Sequence, residues 1–190
     1  MNKILSACAI AAAFVAMPAS AQWYVGAGVG SSRAAGADGT DATGVTYSGG
    51  NTNKSSVKVY GGFQITPIWG VEAQYTDLGN RNIVATSAGV VIGSGNIKAS
   101  QYSLAAVGTL PLSQSFSLIG KLGVSQNKVT GINSQNKSDL LAGVGVSYSI
   151  NPKLAVRLEY EDFGKVSSNG GPTGGSVRAN NTSLSLQYAF

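Results

Sequence analysis

From Trp23 to the C-terminus, apolar and polar residues alternate along most of the chain. A period of two predicts β-strands with one apolar face, and apolar residues at helical spacing are rare here. Eight such stretches can be distinguished. Their apolar faces are Trp23, Val25, Ala27, Val29; Val57, Val59, Phe63, Ile65; Trp69, Val71, Ala73, Tyr75; Tyr102, Leu104, Ala106, Leu110; Phe116, Leu118, Leu122, Val124; Leu140, Ala142, Val144, Val146, Tyr148; Leu154, Val156, Leu158, Tyr160; and Leu184, Leu186, Tyr188, Phe190.

The connections between these stretches alternate in length. Three are short and contain a proline: 66–68, 111–115 and 151–153. Four are longer and rich in Gly, Ser, Asn and Thr: about 33–54, 80–96, 128–137 and 165–180. Short periplasmic turns that alternate with long external loops are typical of outer-membrane barrels. The pattern therefore predicts an all-β protein, an eight-stranded antiparallel up-and-down transmembrane β-barrel with both termini in the periplasm.

The residue types on the two faces indicate which face is outside. The apolar face is wide and carries aromatic residues towards the strand ends, whereas the opposite face consists of Gly, Ser and a few charged residues. Small residues suit the narrow interior of an eight-stranded barrel, and aromatic girdles mark the two membrane interfaces. We therefore expect the apolar face to contact lipid. A soluble periplasmic barrel with the opposite orientation is the alternative.

The N-terminus has the features of a secretory signal peptide. A positive start containing Lys3 precedes the apolar stretch 4–17, which is followed by Pro18 and the small residues 19–21. This arrangement predicts cleavage before Gln22, so that 1–21 is the signal peptide and 22–190 the outer-membrane barrel domain. The single cysteine lies within the signal segment, which leaves no disulfide framework in the predicted barrel.

Several stretches resemble the eight-stranded outer-membrane β-barrel superfamily, and most of all the barrel domain of the outer-membrane protein A family. They are the opening WYVGA at 23–27, GVEAQYTDLG at 70–79 and YSINPKLAVRLEY at 148–160. The ending Tyr188-Ala189-Phe190 resembles the C-terminal signal of that family. The resemblance implies recognition by the barrel-assembly machinery, with periplasmic chaperones during export. The peptidoglycan-binding domain of longer members has no counterpart here, so we do not expect cell-wall tethering.

Four charged residues fall on inward positions of the predicted barrel: Glu72, Lys121, Arg157 and Glu159. Buried charges are costly unless they are paired, so the positions predict a salt-bridge cluster. The resemblance implies that matching charges form either a plug or a gate whose partners exchange to let ions pass. An acidic family position on the sixth strand corresponds to Ser147 here, which weakens the gate hypothesis.

The sequence lacks the residues and motifs expected of an enzyme, a dinucleotide-binding protein or a nucleic-acid-binding protein. The chain contains no histidine, the usual general base of lipid-modifying and proteolytic barrels, so we expect no enzymatic activity. The glycines at 26, 28 and 30 precede no helix start, which excludes a dinucleotide-binding motif. We expect no cofactor and no metal. Charged residues make up only 11% of the chain, without a basic stripe, so nucleic acid is not an expected partner.

The predicted external loops carry most of the remaining basic residues: Arg33, Lys54, Arg81, Lys98, Lys128, Lys137, Lys165 and Arg178. A basic rim can bind the phosphates of lipopolysaccharide or anionic host glycans, although ordinary solvated loops would look the same. We expect a monomer in the bacterial outer membrane. The resemblance implies a structural role in maintaining outer-membrane integrity, with surface loops available for adhesion to host surface ligands. The alternative is a narrow passive pore gated by the charge cluster.

Overall fold

The computed structural model of the protein describes residues 22–35, 38–48, 53–130, 135–167 and 177–190. Within these ranges the chain forms ten β-strands: β1 Gln22–Ala35, β2 Gly39–Thr40, β3 Thr46–Ser48, β4 Lys54–Gln64, β5 Trp69–Ser87, β6 Val90–Pro111, β7 Phe116–Thr130, β8 Gln135–Asn151, β9 Leu154–Ser167 and β10 Val177–Ala189. The predicted signal peptide lies outside the described residues. None of the described residues forms a helix long and apolar enough to cross a membrane.

Eight of the strands close into an antiparallel barrel. β1 pairs with β4 on one side and with β10 on the other, and β5 pairs with β6. The remaining neighbours follow chain order, as in an up-and-down barrel. Each barrel strand has at least 11 residues, enough to cross a bilayer at a steep tilt. The predicted eight-stranded barrel is thus confirmed, and β2 and β3 are additional short strands outside it.

The three short turns lie where they were predicted, and side-chain hydrogen bonds hold them. In the first turn, the Thr66 hydroxyl accepts the backbone N–H groups of Ile68 and Trp69 at 3.3 and 2.9 Å. In the last, Asn151 Oδ1 accepts those of Lys153 and Leu154, both at 2.9 Å. Such local bonds replace the ladder bonds that end at the turn.

The prediction of a long loop over 80–96 is wrong. β5 continues to Ser87, β6 begins at Val90, and the two strands pair along this stretch up to a turn at Ala88 and Gly89. Both turn residues have positive φ, 48° and 80°, as a two-residue hairpin turn requires. The Gly- and Ser-rich composition suggested a loop, but the stretch is a hairpin that continues the two strands of the barrel wall.

The other predicted loops are shorter than expected. The loop over 33–54 contains β2 and β3, and β3 pairs with β5. β7 and β8 remain paired up to Val129 and Gln135, and β9 and β10 up to Ser167 and Val177. Hydrogen bonding between neighbouring strands therefore reaches into stretches whose composition indicates loops. The cores of the last two predicted loops, 131–134 and 168–176, lie outside the described residues.

Burial confirms that the barrel is apolar outside and polar inside. Large apolar side chains on the outer face are exposed, among them Val29 at 64% and Leu122 at 64%. On the inner face, Lys58, Gln101 and Glu161 are completely buried. A soluble barrel would reverse this distribution, because water would contact its outer surface. The outer wall is therefore built to contact lipid.

Candidate functional site

Glycines make room in the barrel interior for two tyrosine rings. A Cβ atom at Gly26 would overlap the ring of Tyr60, and one at Gly62 would overlap the ring of Tyr24. Both tyrosines are about 5% exposed. The period of two places these glycines on the inner face, where their missing side chains let large polar groups reach the barrel axis.

The structure brings together all four charged residues predicted for the interior. The Nζ of Lys121, on β7, lies 2.5 Å from Glu72 Oε1 on β5 and 2.8 Å from Glu159 Oε1 on β9. Arg157 bridges the same two carboxylates, with Nη1 2.9 Å from Glu72 Oε2 and Nη2 2.7 Å from Glu159 Oε1. Each side chain is at most 2% exposed, so every charge is desolvated and paired.

Two further charged residues belong to this cluster and were missed. Lys58 Nζ lies 2.5 Å from Glu159 Oε2 and 3.3 Å from Glu161 Oε2, and Lys121 Nζ lies 3.1 Å from Glu161 Oε1. Lys58 and Glu161 are both completely buried. The alternation of apolar and polar residues could have identified both as inward-facing. Lys58 lies between the outward-facing Val57 and Val59, and Glu161 lies on the same face of its strand as Glu159. We call these six residues the charge cluster.

The charge cluster is electrically neutral and held by surrounding polar groups. Its three basic and three acidic residues cancel. The Tyr24 hydroxyl donates to Glu72 Oε2 at 3.1 Å, and Arg157 Nη1 donates to Gln187 Oε1 at 2.8 Å. The Arg157 guanidinium carbon also lies 4.8 Å from the centre of the Tyr60 ring. These contacts compensate the desolvation of charges that have left water.

The lumen differs on the two sides of the charge cluster. Below it, towards the short turns, is a cavity of about 380 Å³ whose lining includes Arg157, Gln187 and Ser147. Above it lies an uncharged polar layer, in which Ser56 donates to Asn181 Oδ1 at 2.6 Å. The upper end is closed by buried apolar residues, the apolar seal: Ala34, Leu78, Ala99, Leu141, Phe163, Val177 and Ala179.

One basic residue expected on the outer rim is buried. Arg81 is 6% exposed, and its Nη2 donates to the Ser32 hydroxyl at 3.1 Å and to the Ser32 carbonyl at 3.3 Å. Its Nη1 donates to the Leu78 carbonyl at 3.4 Å. Because β5 continues past the predicted loop start, Arg81 lies on the inner face of a strand. Its hydrogen bonds therefore connect β5 to β1 at the upper end of the lumen.

The described residues contain no cluster of His, Cys, Asp and Glu that could hold a metal ion. Of the predicted assembly residues, Tyr188 lies in the last turn-side residues of β10 and Phe190 directly follows the strand. Their ring centres are 5.3 Å apart and the ring planes nearly perpendicular. Both are exposed on the outer wall, at the edge that carries the short turns. Their position fits an interfacial aromatic girdle.

A closed barrel with a lipid-facing apolar wall and a polar, charge-filled lumen defines the class of integral outer-membrane β-barrels. The comparison with family models agrees, because the outer membrane protein beta-barrel domain model matches residues 5–190. The chain belongs to this family. Its location is accordingly the outer membrane, which it crosses several times.

The similar proteins of known sequence include outer membrane protein A of two bacteria. The protein of Escherichia fergusonii is 30% identical over 178 residues, which cover 85% of this chain and 48% of that protein. The protein of Escherichia coli O157:H7 is 29% identical over 174 residues, covering 85% and 47%. The chain thus spans about half the length of the curated relatives it matches.

Solved structures share the fold at low identity. OprG of Pseudomonas aeruginosa aligns with a TM-score of 0.62 and 14% identity, over 89% of this chain and 95% of that one. Ail of Yersinia pestis, solved with the heparin analogue sucrose octasulfate, aligns with a TM-score of 0.53 and 16% identity. The alignment covers 90% of this chain and 100% of Ail. Neisserial surface protein A aligns with a TM-score of 0.55 and 20% identity, over 88% and 97%.

Proposed function

We propose that this protein is a structural outer-membrane barrel whose lumen is plugged by the charge cluster, and that it acts through its external surface. The observation that carries the proposal is the environment of Lys121. Its ammonium group contacts Glu72, Glu159 and Glu161 at once, at 2.5, 2.8 and 3.1 Å. A gate of exchanging partners needs an alternative carboxylate, and the resemblance implies that Ser147 replaces an acidic residue of the family. Lys121 has no vacant carboxylate partner among the described luminal residues.

The alternative function is a narrow passive pore gated by the same cluster. The cavity of about 380 Å³ below Arg157 provides a vestibule for such a pore. The apolar seal argues against it, because Leu78 and Phe163 are 1% and 0% exposed and apolar constrictions oppose the passage of ions. An ion that passed the charge cluster would still have to cross this seal.

Single-channel recording of the refolded protein in a planar bilayer separates the two functions. We expect no discrete openings from the wild type, and none from Glu72→Gln, which is nearly the same size as the native residue. Discrete wild-type openings whose conductance changes in Glu72→Gln would establish a gated pore and refute the plug. Heat-dependent gel mobility, with a faster band before boiling, confirms that each sample is folded.

The extended hairpin is the best candidate for surface interactions. β5 and β6 continue beyond the barrel to the turn at Ala88, and the tip exposes Val90, Val91 and Ile92 by 59–65%. Exposed apolar groups outside the membrane are typical of binding surfaces. Replacing 84–94 by a short Asn-Gly turn, which keeps Arg81 and its contacts to Ser32, should abolish attachment of expressing bacteria to host cells without changing heat-dependent mobility. Unchanged attachment would remove this role.

We also propose that the protein is not an enzyme and acts as a single barrel. Without a histidine in the chain, lipid or peptide hydrolysis has no general base of the usual kind, and we propose a non-enzymatic protein. Tyr188 and Phe190 are proposed to be read by the barrel-assembly machinery after transport by periplasmic chaperones. The barrel is proposed to act as a monomer, surrounded by outer-membrane lipid and lipopolysaccharide.

A further inference from the structure

We propose that Arg33, Lys165 and Arg178 form a binding site for the phosphate groups of a lipid in the outer leaflet. We call these residues the rim triad. The inference specifies where the lipid contact proposed above takes place. It depends on the position of the barrel in the membrane and not on whether the lumen conducts.

Strand register brings the rim triad together from three neighbouring strands. On β1 and β10, Arg33 is paired with Asn180 and Ala35 with Arg178, so the two arginines are diagonal neighbours. On β10 and β9, Arg178 is paired with Lys165 at a bulge, because the register shifts on both sides of Arg178 and Gly164 has a φ of 67°. In a regular ladder directly paired residues have Cβ atoms about 5 Å apart, and diagonal neighbours, such as the two arginines, about 7–8 Å. One phosphate group can therefore contact two of the three side chains.

The triad lies at the height of the lipid headgroups. Val29 and Leu184 are paired on the outer wall and exposed by 64% and 52%. They belong to the apolar band that such barrels turn to the lipid interior. Arg33 follows Val29 by four residues, and Arg178 precedes Leu184 by six, towards the outer end. At 3.3 Å per residue and a tilt near 40°, this places the arginines about 10–15 Å above that pair. Both are exposed, as is Lys165.

The charges around the triad leave it positive. Like charges in neighbouring positions of a sheet are destabilising, so an anion that bridges them is favoured. One outward carboxylate beside the triad is that of Asp162, opposite Asn180, and its Oδ1 accepts the Gly164 N–H at 2.8 Å. Asp139 Oδ2 accepts the backbone N–H of Lys165 at 2.7 Å. The triad thus carries three basic groups, and these two carboxylates both accept backbone N–H groups.

The opposite wall of the barrel carries a matched basic pair. Lys98 and Lys128 are also diagonal neighbours, because Lys98 pairs with Thr130 and Ser100 with Lys128. There Lys98 Nζ lies 3.7 Å from Asp77 Oδ2. A lysine also lacks the planar fork with which arginine grips phosphate oxygens. The rim triad should therefore bind phosphate more tightly than this pair.

The test measures binding of lipid A to the detergent-purified protein by native mass spectrometry. Diphosphorylated and dephosphorylated lipid A are compared for the wild type, for R33Q/R178Q and for K98Q/K128Q. Each double variant removes two positive charges from the outer rim, so K98Q/K128Q controls for general electrostatics. Inorganic phosphate and a soluble sulfated polysaccharide are added as competitors. Heat-dependent gel mobility confirms folding, and the single variants R33Q and R178Q replace a double variant that does not fold.

We expect R33Q/R178Q to weaken binding of diphosphorylated lipid A about ten- to thirtyfold, and K98Q/K128Q less than about threefold. Dephosphorylated lipid A should bind all three proteins equally weakly. Equal losses in the two double variants, or no preference for the phosphorylated lipid, would overturn the proposal. It would also be overturned if inorganic phosphate displaced the lipid at equal concentration, indicating a site for free phosphate. Tighter binding of the sulfated polysaccharide would instead assign the triad to a glycan.

Discussion

The charge cluster and the Lys98–Asp77 pair show what burial does to the same kind of interaction. In the cluster, Lys121 is 1% exposed and contacts three carboxylates within 3.1 Å. At the rim, the Lys98 and Asp77 side chains are 60% and 34% exposed and 3.7 Å apart. Water screens the exposed pair, so forming or breaking it changes the free energy of unfolding only slightly. In the lumen each charge depends on its partners, because removal of one leaves the others desolvated and unpaired.

The largest expected effect comes from removing one buried charge. Lys121→Met keeps most of the side-chain volume but leaves three carboxylates facing two basic groups. We expect the free energy of unfolding to fall by about 3–5 kcal/mol, measured by denaturant unfolding in lipid vesicles. Adding Glu161→Gln restores the charge balance and should recover part of this loss. If the double variant lost the sum of both single effects, the residues would not be coupled and the neutral-cluster account would fail.

A cavity in the apolar seal should have a somewhat smaller effect. Leu78 is 1% exposed, and Leu78→Ala removes three carbon atoms from a closed layer. We expect a loss of about 3 kcal/mol in the same unfolding measurement. Val90→Ala, at the 65% exposed hairpin tip, is the control and should change stability by less than about 0.5 kcal/mol. Equal effects of the two substitutions would show that the seal is not closely packed.

Breaking the exposed pair should have little effect. Asp77→Asn removes the partner of Lys98 but keeps a side-chain oxygen, and Asp77 Oδ1 accepts the Gly79 N–H at 2.9 Å. We expect a loss of at most about 1 kcal/mol, smaller still at high salt. A loss as large as that of Lys121→Met would remove the contrast between buried and exposed pairs.

The smallest effect is a local pH dependence in the turn between β2 and β3. The Thr43 hydroxyl donates to Asp41 Oδ1 at 2.6 Å and, with the backbone N–H groups of Val45 and Thr43, lowers the pKa of that carboxyl below its usual 3.8. A pKa lowered by folding stabilises the turn above the usual value, and the effect disappears as pH falls through the lowered pKa. Amide NMR signals of this turn should therefore titrate below pH 3.8, and in Asp41→Asn they should not titrate there.

The eight strands, their faces and the short turns could be predicted from the sequence because these features are local. A side chain on a strand points to one side or the other, so a period of two separates lipid-facing Val57 and Val59 from luminal Lys58. Pro152 and Asn151 likewise mark a turn through their own backbone preferences. The hairpin over 80–96 was not predicted because its Gly and Ser residues are common in loops. The same small residues also occur in strands that pack closely against a neighbouring strand.

The partners of each buried charge were decided only by the tertiary structure. Lys58 and Glu159 are 101 residues apart in the chain, and Lys121 and Glu72 are 49 apart. Their contacts depend on the register of every strand pair and on closure between β1 and β10, which position each side chain along the barrel axis. The sequence determined that these charges point inward. The closed sheet determined that all six form one connected network of ion pairs and cancel, because only a complete barrel sets the height of one strand against another.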